Sequence, residues 1–329
     1  MKSRRTALKG MMAAAVLALA GAGMPGGVGA GETAGPLRIL VGFPPGGATD
    51  VVARIIAEQL KNELNRPVLV ENRPGAGGQI ATQALKNAAP DGSTVMLTID
   101  HSQIIVPLTI AAAGYDPVED FTPIGGVAQY YNALGVNSAL RVNNMEDLKE
   151  WLAVNPDKAH IGVPAYGSVP QFAVHIIGET FGLPVSSVPY KGGAPLIQDL
   201  IGGHVAGAVA SMTELIEHQK AGRVVILATS GQERNKTRPD VPTFAQVGVA
   251  GLERNPWLAF FGPKGLSPEF VTQFNEALHR VLAQPAVRNR LEEMGNEVTP
   301  TSPEELRAWV VDGTKHWADV IKRAGFVPQ

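Results

Sequence analysis

The sequence predicts an α/β protein of two lobes, each a mostly parallel sheet flanked by helices. Three observations predict it. The order strand, glycine-rich turn, helix occurs twice in succession from Leu37 and closes on a third strand at Ile99. The same order returns between Ala159 and Ala210. Two further apolar stretches, Ile124 to Leu134 and Trp257 to Gly262, are placed to cross between the units. Alternating strands and helices imply right-handed crossovers. In such sheets a ligand lies beyond the carboxyl ends of the strands.

Leu37 to Val41 is a short apolar run, the pattern of a buried strand. It leads into Gly42-Phe43-Pro44-Pro45-Gly46-Gly47-Ala48-Thr49-Asp50. The prolines fix φ and remove donors, and the glycines let the backbone approach something closely. Val52, Ile55, Ile56, Leu60 and Leu64 then recur at helical spacing. A strand, a glycine turn and a helix start together make a cradle for an anion. Unpaired N–H groups point outward there, and the helix dipole favours negative charge. The plainer reading is a tight turn that binds nothing.

A second strand follows around Val68 to Val70, then the turn Arg73-Pro74-Gly75-Ala76-Gly77-Gly78 and a helix from Gln79 to Asn87. Pro90-Asp91-Gly92 supplies turn chemistry before the third strand, Thr94 to Ile99. That strand ends among Thr98, Asp100, His101 and Ser102. Between the units, Asn144 to Ala153 reads as a capped helix. The second unit opens with a strand at Ala159 to Val163 and the turn Pro164 to Ser168. Ser168 with Gln171 reads as a capping box, and Pro170 suits a first helical turn. Val185 to Pro189, Ala194 to Ile201 and Val205 to Ala210 give strand, helix and strand, ending at Ser211.

Val224 to Ala228 is a further strand, and Arg238 to Pro242 a rigid loop. Beyond Trp257, Ser267-Pro268 and Ser302-Pro303 each place serine at an N-cap and proline at the first helical position. Phe274 and Leu278 on the first of these helices, and Trp309 and Trp317 on the second, read as core stripes. A return crossing at Trp257 gives lobe one residues 31–128 and 256–329, and lobe two residues 129–255.

The chain has 329 residues and no cysteine, which excludes disulfides, thiolate metal sites and cysteine nucleophiles. No basic patch carries interleaved aromatics, so nucleic acid is not an expected partner. Lys2, Arg4, Arg5 and Lys9, then the apolar run Met11 to Ala22, then Val28-Gly29-Ala30, read as a signal peptide over residues 1–30. Its apolar run is too short to span a bilayer. Ser3 to Lys9 resembles a twin-arginine export signal, with Ala7 where a large apolar residue is usual. Export leaves 24 basic against 30 acidic residues, a net charge of about −6. Long-range steering then works against an anion, so a bound anion must be held by local donors.

Enzyme motifs fail on detail. Gly42 to Thr49 nearly matches a phosphate-binding loop, but Ala48 stands where the lysine belongs. Gly75 to Ile80 lacks the last glycine of a dinucleotide fingerprint. There is no G-x-S-x-G or H-E-x-x-H, and the seven histidines lack ligand spacing. No cofactor or metal is expected.

Several stretches together resemble one family. They include Phe43-Pro44-Pro45-Gly46-Gly47 with Asp50, and Glu71-Asn72-Arg73-Pro74-Gly75-Ala76-Gly77-Gly78. Pro189-Tyr190-Lys191-Gly192 and Pro239-Asp240-Val241-Pro242 complete the pattern. These are similar to the periplasmic receptors of the tripartite tricarboxylate transporters, the Bug receptors, over about Leu37 to Phe326. The resemblance implies a two-lobed periplasmic-binding-protein-like clamp with crossing hinge strands. It implies a small organic acid held between two loops by backbone N–H groups and water, and delivery to integral membrane transporter subunits. A monomer is expected.

Carried over by position, the loops are Phe43 to Asp50 and Ala165 to Gln171. The first offers Phe43, Gly46, Gly47, Ala48, Thr49 and Asp50. The second offers Tyr166, Gly167, Ser168 and Gln171. Strand ends add Thr98, His101, Ser102 and Ser211. Gly162-Val163-Pro164-Ala165-Tyr166 departs from the family's hydroxyl-rich run, and Gln171 replaces a frequent histidine. Tyr166 and Asp100 would suit an aromatic, amide-bearing or zwitterionic acid. Two other readings remain open from the residues: a small-acid enzyme using Asp50, His101 or Ser168, and a sensor that docks on a signalling partner.

Overall fold

The computed structural model describes residues 35–328. The expected signal peptide lies outside the described residues. Among the described residues, eleven strands form two sheets. The first holds β1 (Leu37–Val41), β2 (Val68–Asn72), β3 (Thr94–Ile99), β4 (Phe121–Gln129), β10 (Trp257–Pro263) and β11 (Glu297–Val298), in the order β11-β4-β10-β3-β1-β2. The second holds β5 (Asn132–Asn137), β6 (His160–Val163), β7 (Ser186–Pro189), β8 (Gly207–Ser211) and β9 (Val224–Thr229), in the order β7-β6-β8-β5-β9.

Each sheet is mixed rather than mostly parallel. The strand–turn–helix repeats do build parallel triads, β2-β1-β3 and β7-β6-β8. Strands outside the repeats then join antiparallel: β10 to β3 and β4, β11 to β4, and β5 to β8 and β9. β4, β10 and β11 enter from long connections and β5 comes directly from the first sheet, so no strand–helix–strand crossover obliges them to run parallel to their neighbours.

Helices α1 (Ala48–Glu63), α2 (Gln79–Lys86), α3 (Val106–Thr109), α4 (Met145–Val154) and α5 (Val169–Phe181) follow the strands in chain order. Then come α6 (Gly193–Gly202), α7 (Met212–Lys220), α8 (Pro268–Ala283), α9 (Pro285–Glu293) and α10 (Pro303–Arg323). Side chains alternate across the first sheet with the period of two that a strand imposes. Ile39, Val41, Val95, Leu97 and Phe260 face one core with residues of α1, α8 and α9. Leu40, Met96, Ala259 and Phe261 face the other, with residues of α2 and α10. That second core continues through α5 to Leu134, Ile161 and Val209 of the other sheet. A third core behind the second sheet gathers Ala133, Leu196, Ala208 and Leu215.

α10 starts at a complete capping box: Glu305 N–H donates to Ser302 Oγ, and Ser302 N–H donates to the Glu305 carboxylate. The box expected at Ser168 does not form. Ser168 sits at the N-cap, but its hydroxyl donates back to the Ala165 carbonyl at 2.7 Å. Gln171 Oε1 accepts from Gly167 N–H instead, one residue earlier than a box requires.

The crossings also differ from expectation. Ile124 to Leu134 is not one strand: β4 stays in the first sheet, Tyr130 and Tyr131 break the ladder, and β5 starts in the second. β10 lies wholly in the first sheet, so the return crossing precedes Trp257. Polar bonds tie this crossover. Tyr130 N–H donates to the Pro256 carbonyl at 2.9 Å, Asn132 N–H to Ser230 Oγ at 3.0 Å, and Tyr131 Oη to Glu297 Oε2 at 2.6 Å.

Candidate ligand-binding site

The first loop is a turn locked from inside. Gly46 adopts φ +82°, which L side chains avoid, and Gly47 N–H donates to the Pro44 carbonyl at 3.2 Å. Asp50, only 2 % exposed, holds the loop. Its Oδ2 accepts from Gly46 N–H at 2.8 Å and Arg54 Nε at 2.9 Å; its Oδ1 accepts from Asn72 Nδ2 at 2.8 Å. The same Asn72 amide donates to the Phe43 carbonyl at 3.0 Å. The Arg54 guanidinium, with the Gly46 N–H and the Asn72 amide behind it, outweighs burial and holds the Asp50 carboxyl down at about 2. Asp50 is therefore a saturated structural carboxylate with no oxygen free to act as a base.

The expected residues of this loop divide into two groups. Gly46 and Gly47 shape the turn, and both their N–H groups are already bonded. The first α1 backbone bond is Val51 N–H to the Gly47 carbonyl at 3.0 Å. The N–H groups of Ala48, Thr49 and Asp50 precede it, and Gly47 at the N-cap has no side chain to cap them. Three oriented donors thus stand at the start of α1, with Ala48 exposed beside them.

The other first-lobe residues converge behind this loop. A Cβ on Gly42 would lie 2.8 Å from Gly78 Cα, and a Cβ on Gly78 would lie 2.2 Å from Ser102 Oγ. Ser102 is fully buried and donates to the Gly77 carbonyl at 2.7 Å. Its own carbonyl accepts from the Tyr115 hydroxyl. Ser102 is a tie between loops. Thr98 is fully buried at the end of β3. His101 packs against Gly77, and burial pushes its imidazole down to about 4, so it is neutral.

On the second sheet the expected polar groups serve the turn itself. Gly167 N–H, the Ser168 hydroxyl and the Gln171 amide are bonded as described, and Gln171 Nε2 reaches Ser187 Oγ at 3.3 Å. Tyr166 is 48 % exposed, and its ring packs on Phe326 with centroids 5.1 Å apart. A Cβ on Gly167 would meet Thr109 at 3.4 Å and Phe326 at 3.5 Å, which sets this turn beside α3 and the C-terminal segment. Ser211 is the half-buried N-cap of α7 without a side-chain cap bond.

A cavity of about 680 Å³ lies where the sheets meet, lined by Asp100, Gln129, Tyr131, Trp257, Trp309 and Trp317 among others. Of the stretches expected to meet the ligand, Asp100 and Val169 line it and the first loop does not. Asp100 is 5 % exposed, and burial pushes its carboxyl up to about 7. The sequence reading missed Asn72 as the loop's lock, though it lies inside the Glu-Asn-Arg-Pro-Gly stretch. Reading Trp309 and Trp317 as core stripes caught their helix face and missed the cavity that it borders.

Two α/β lobes joined by a short crossover, with glycine-shaped loops and an uncapped helix start at strand ends, define a solute-binding receptor. The chain belongs to the receptor family of the tripartite tricarboxylate transporters: residues 52–326 match the family described as "Tripartite tricarboxylate transporter family receptor". Protein BugT of Bordetella pertussis (strain Tohama I) is 32% identical over 295 residues, covering 88% of this chain and 89% of that one. An R. palustris protein solved with adipate superposes with a TM-score of 0.81 at 30% identity, covering 90% of this chain and 99% of that one. MatC from Rhodopseudomonas palustris, solved with bound malate, gives 0.76 at 26% identity, covering 88% and 99%. Receptors of this family are periplasmic binding proteins, so the small-acid enzyme reading is set aside.

Proposed function

We propose that this receptor captures a small organic carboxylate at the start of α1 and carries it to the membrane subunits of its transporter. The observation that carries the reading is the uncapped first turn of α1, held open by Asp50. A carboxylate there accepts charge-assisted bonds from the Ala48 and Thr49 N–H groups, and it sits at the positive end of the helix dipole. The turn around Tyr166 closes over it from the second lobe. Lobe one takes residues 31–128 and 256–329, lobe two 129–255, and motion about Tyr130–Tyr131 brings them together. Closure removes water and strengthens each bond. The mature chain acts as an exported monomer after removal of residues 1–30. Adipate and malate in two related structures support aliphatic dicarboxylates as the first candidates, ahead of aromatic or amide-bearing acids.

Native mass spectrometry of the mature protein as purified, followed by a thermal-shift screen of carboxylates, tests this. The expected result is a co-purified acid, or one whose addition raises Tm by mass action. A protein that is empty and unmoved by every carboxylate overturns the ligand class.

A further inference from the structure

The cavity between the sheets has a chemistry unlike that of the loops. Three of the chain's four tryptophans line it: Trp257, Trp309 and Trp317. Trp257 and Trp309 stand with ring centroids 6.5 Å apart. Four carboxylates face it, those of Asp100, Glu233, Glu253 and Glu297, against one guanidinium, that of Arg254. Two of the four are engaged: Glu253 accepts from Gly251 N–H, and Glu297 from Tyr131 Oη and Lys236 Nζ. Asp100 is the most deeply set. Its one side-chain bond is a long one, 3.4 Å from Tyr130 Oη, beside the backbone N–H groups of His101 and Trp257. His316 also lines the cavity and keeps a buried Nε2 with no hydrogen-bond partner among the described residues, and burial holds its imidazole below the usual range.

We propose that this cavity is a second binding site, which takes an organic cation with its charge on Asp100 and its carbons against the tryptophan faces. An indole face attracts a cation by about 0.5–2 kcal/mol, more as water is excluded. The acidic wall repels the carboxylates that the α1 start attracts, so the two sites select opposite charges. The volume of about 680 Å³ suits a small molecule, within the roughly 300–1,000 Å³ of ligand pockets. Both primary amines and quaternary ammonium ions meet these requirements. A quaternary ion relies on the rings alone, and a primary amine adds hydrogen bonds to Asp100.

Intrinsic tryptophan fluorescence of the mature protein at pH 8, where the Asp100 carboxyl is ionised, reads the site directly. Tetramethylammonium, choline and 1,4-diaminobutane are titrated, with adipate as the anion. The expected result is a saturable change with at least one cation, undiminished by excess adipate. Asp100→Asn weakens it about tenfold or more, as loss of a charge-assisted contact does. Trp309→Phe, a milder change of a half-buried ring, weakens it as well and keeps the test readable should the first variant fold poorly. No saturable response to any cation up to about 10 mM overturns the proposal. So does an affinity unmoved in both folded variants, or displacement of the cation by adipate.

Discussion

Asn72 donates through Nδ2 to Asp50 Oδ1 at 2.8 Å, joining the end of β2 to the first turn of α1. The bond makes the neighbouring strand a template for the loop, because the same amide also holds the Phe43 carbonyl. Asn72→Ala should therefore act twice. It leaves a buried carboxylate short of a donor, costing about 1–3 kcal/mol, and it frees the loop to misplace the α1 N–H groups. Urea unfolding and calorimetric titration with the co-purified acid should both register the change. A loss of stability with unchanged affinity would separate the lock from the cradle.

Ala48→Pro asks whether the α1 donors bind the ligand. Ala48 is the first helical position, where proline is tolerated. Gly47 before it is extended, φ −70° and ψ 162°, as a residue preceding proline prefers. The variant should fold with Tm nearly unchanged and lack one N–H. Affinity for the carboxylate should fall about 10–100-fold, the loss of one bond to a charged group. An unchanged Kd by calorimetry would move the anion away from this helix start.

The repeats and the loops were legible in the sequence because strand, turn and helix are local patterns. Leu37 to Val41 is a buried strand but for Arg38, and Ser302 stands at the N-cap of α10 with Pro303 first in the helix, both as expected. Partnering between distant segments was not legible. The antiparallel entry of β10, the break at Tyr130–Tyr131 and the satisfaction of Gly46 N–H by Asp50 all depend on what folds against the local pattern. Ser168 shows the limit clearly: its spacing to Gln171 matches a capping box, yet the tight turn at Gly167 offers nearer partners to both side chains.

Two glycines of similar φ should respond very differently to alanine. Gly46 has φ +82° with nothing within 4 Å of a new Cβ, so Gly46→Ala costs only the backbone term, about 1–2 kcal/mol. Gly78 has φ +96°, and its Cβ would lie 2.2 Å from Ser102 Oγ. Gly78→Ala must also push Ser102 off the Gly77 carbonyl, at a total of about 3 kcal/mol or more. Thermal unfolding of the two variants side by side should rank them in this order. Equal losses would mean that the loops do not pack against each other as described.

Asp100 and His101 are adjacent and titrate against each other. Burial raises the Asp100 carboxyl from 3.8 to about 7, so the native state keeps a proton that the unfolded chain releases. That contribution is complete below about pH 3.8 and is lost as pH rises through about 7. Burial lowers the His101 imidazole from 6.5 to about 4, so its contribution is complete above about pH 6.5 and is lost as pH falls through about 4. Between pH 4 and 6.5 the slopes oppose, and this pair leaves wild-type stability nearly flat. Asp100→Asn removes one slope, so its stability should climb with pH across that window. Its advantage over wild type should widen toward pH 7 and then level off, reaching at most about 4 kcal/mol. His101→Gln should do the reverse and lose stability as pH rises from 4 to 7. Calorimetric Tm values at pH 4.5, 6 and 8 read these differences, in which His316 and the other titrating groups cancel. A gap between Asp100→Asn and wild type that is the same at all three pH values would place the Asp100 carboxyl in contact with solvent and ionised throughout.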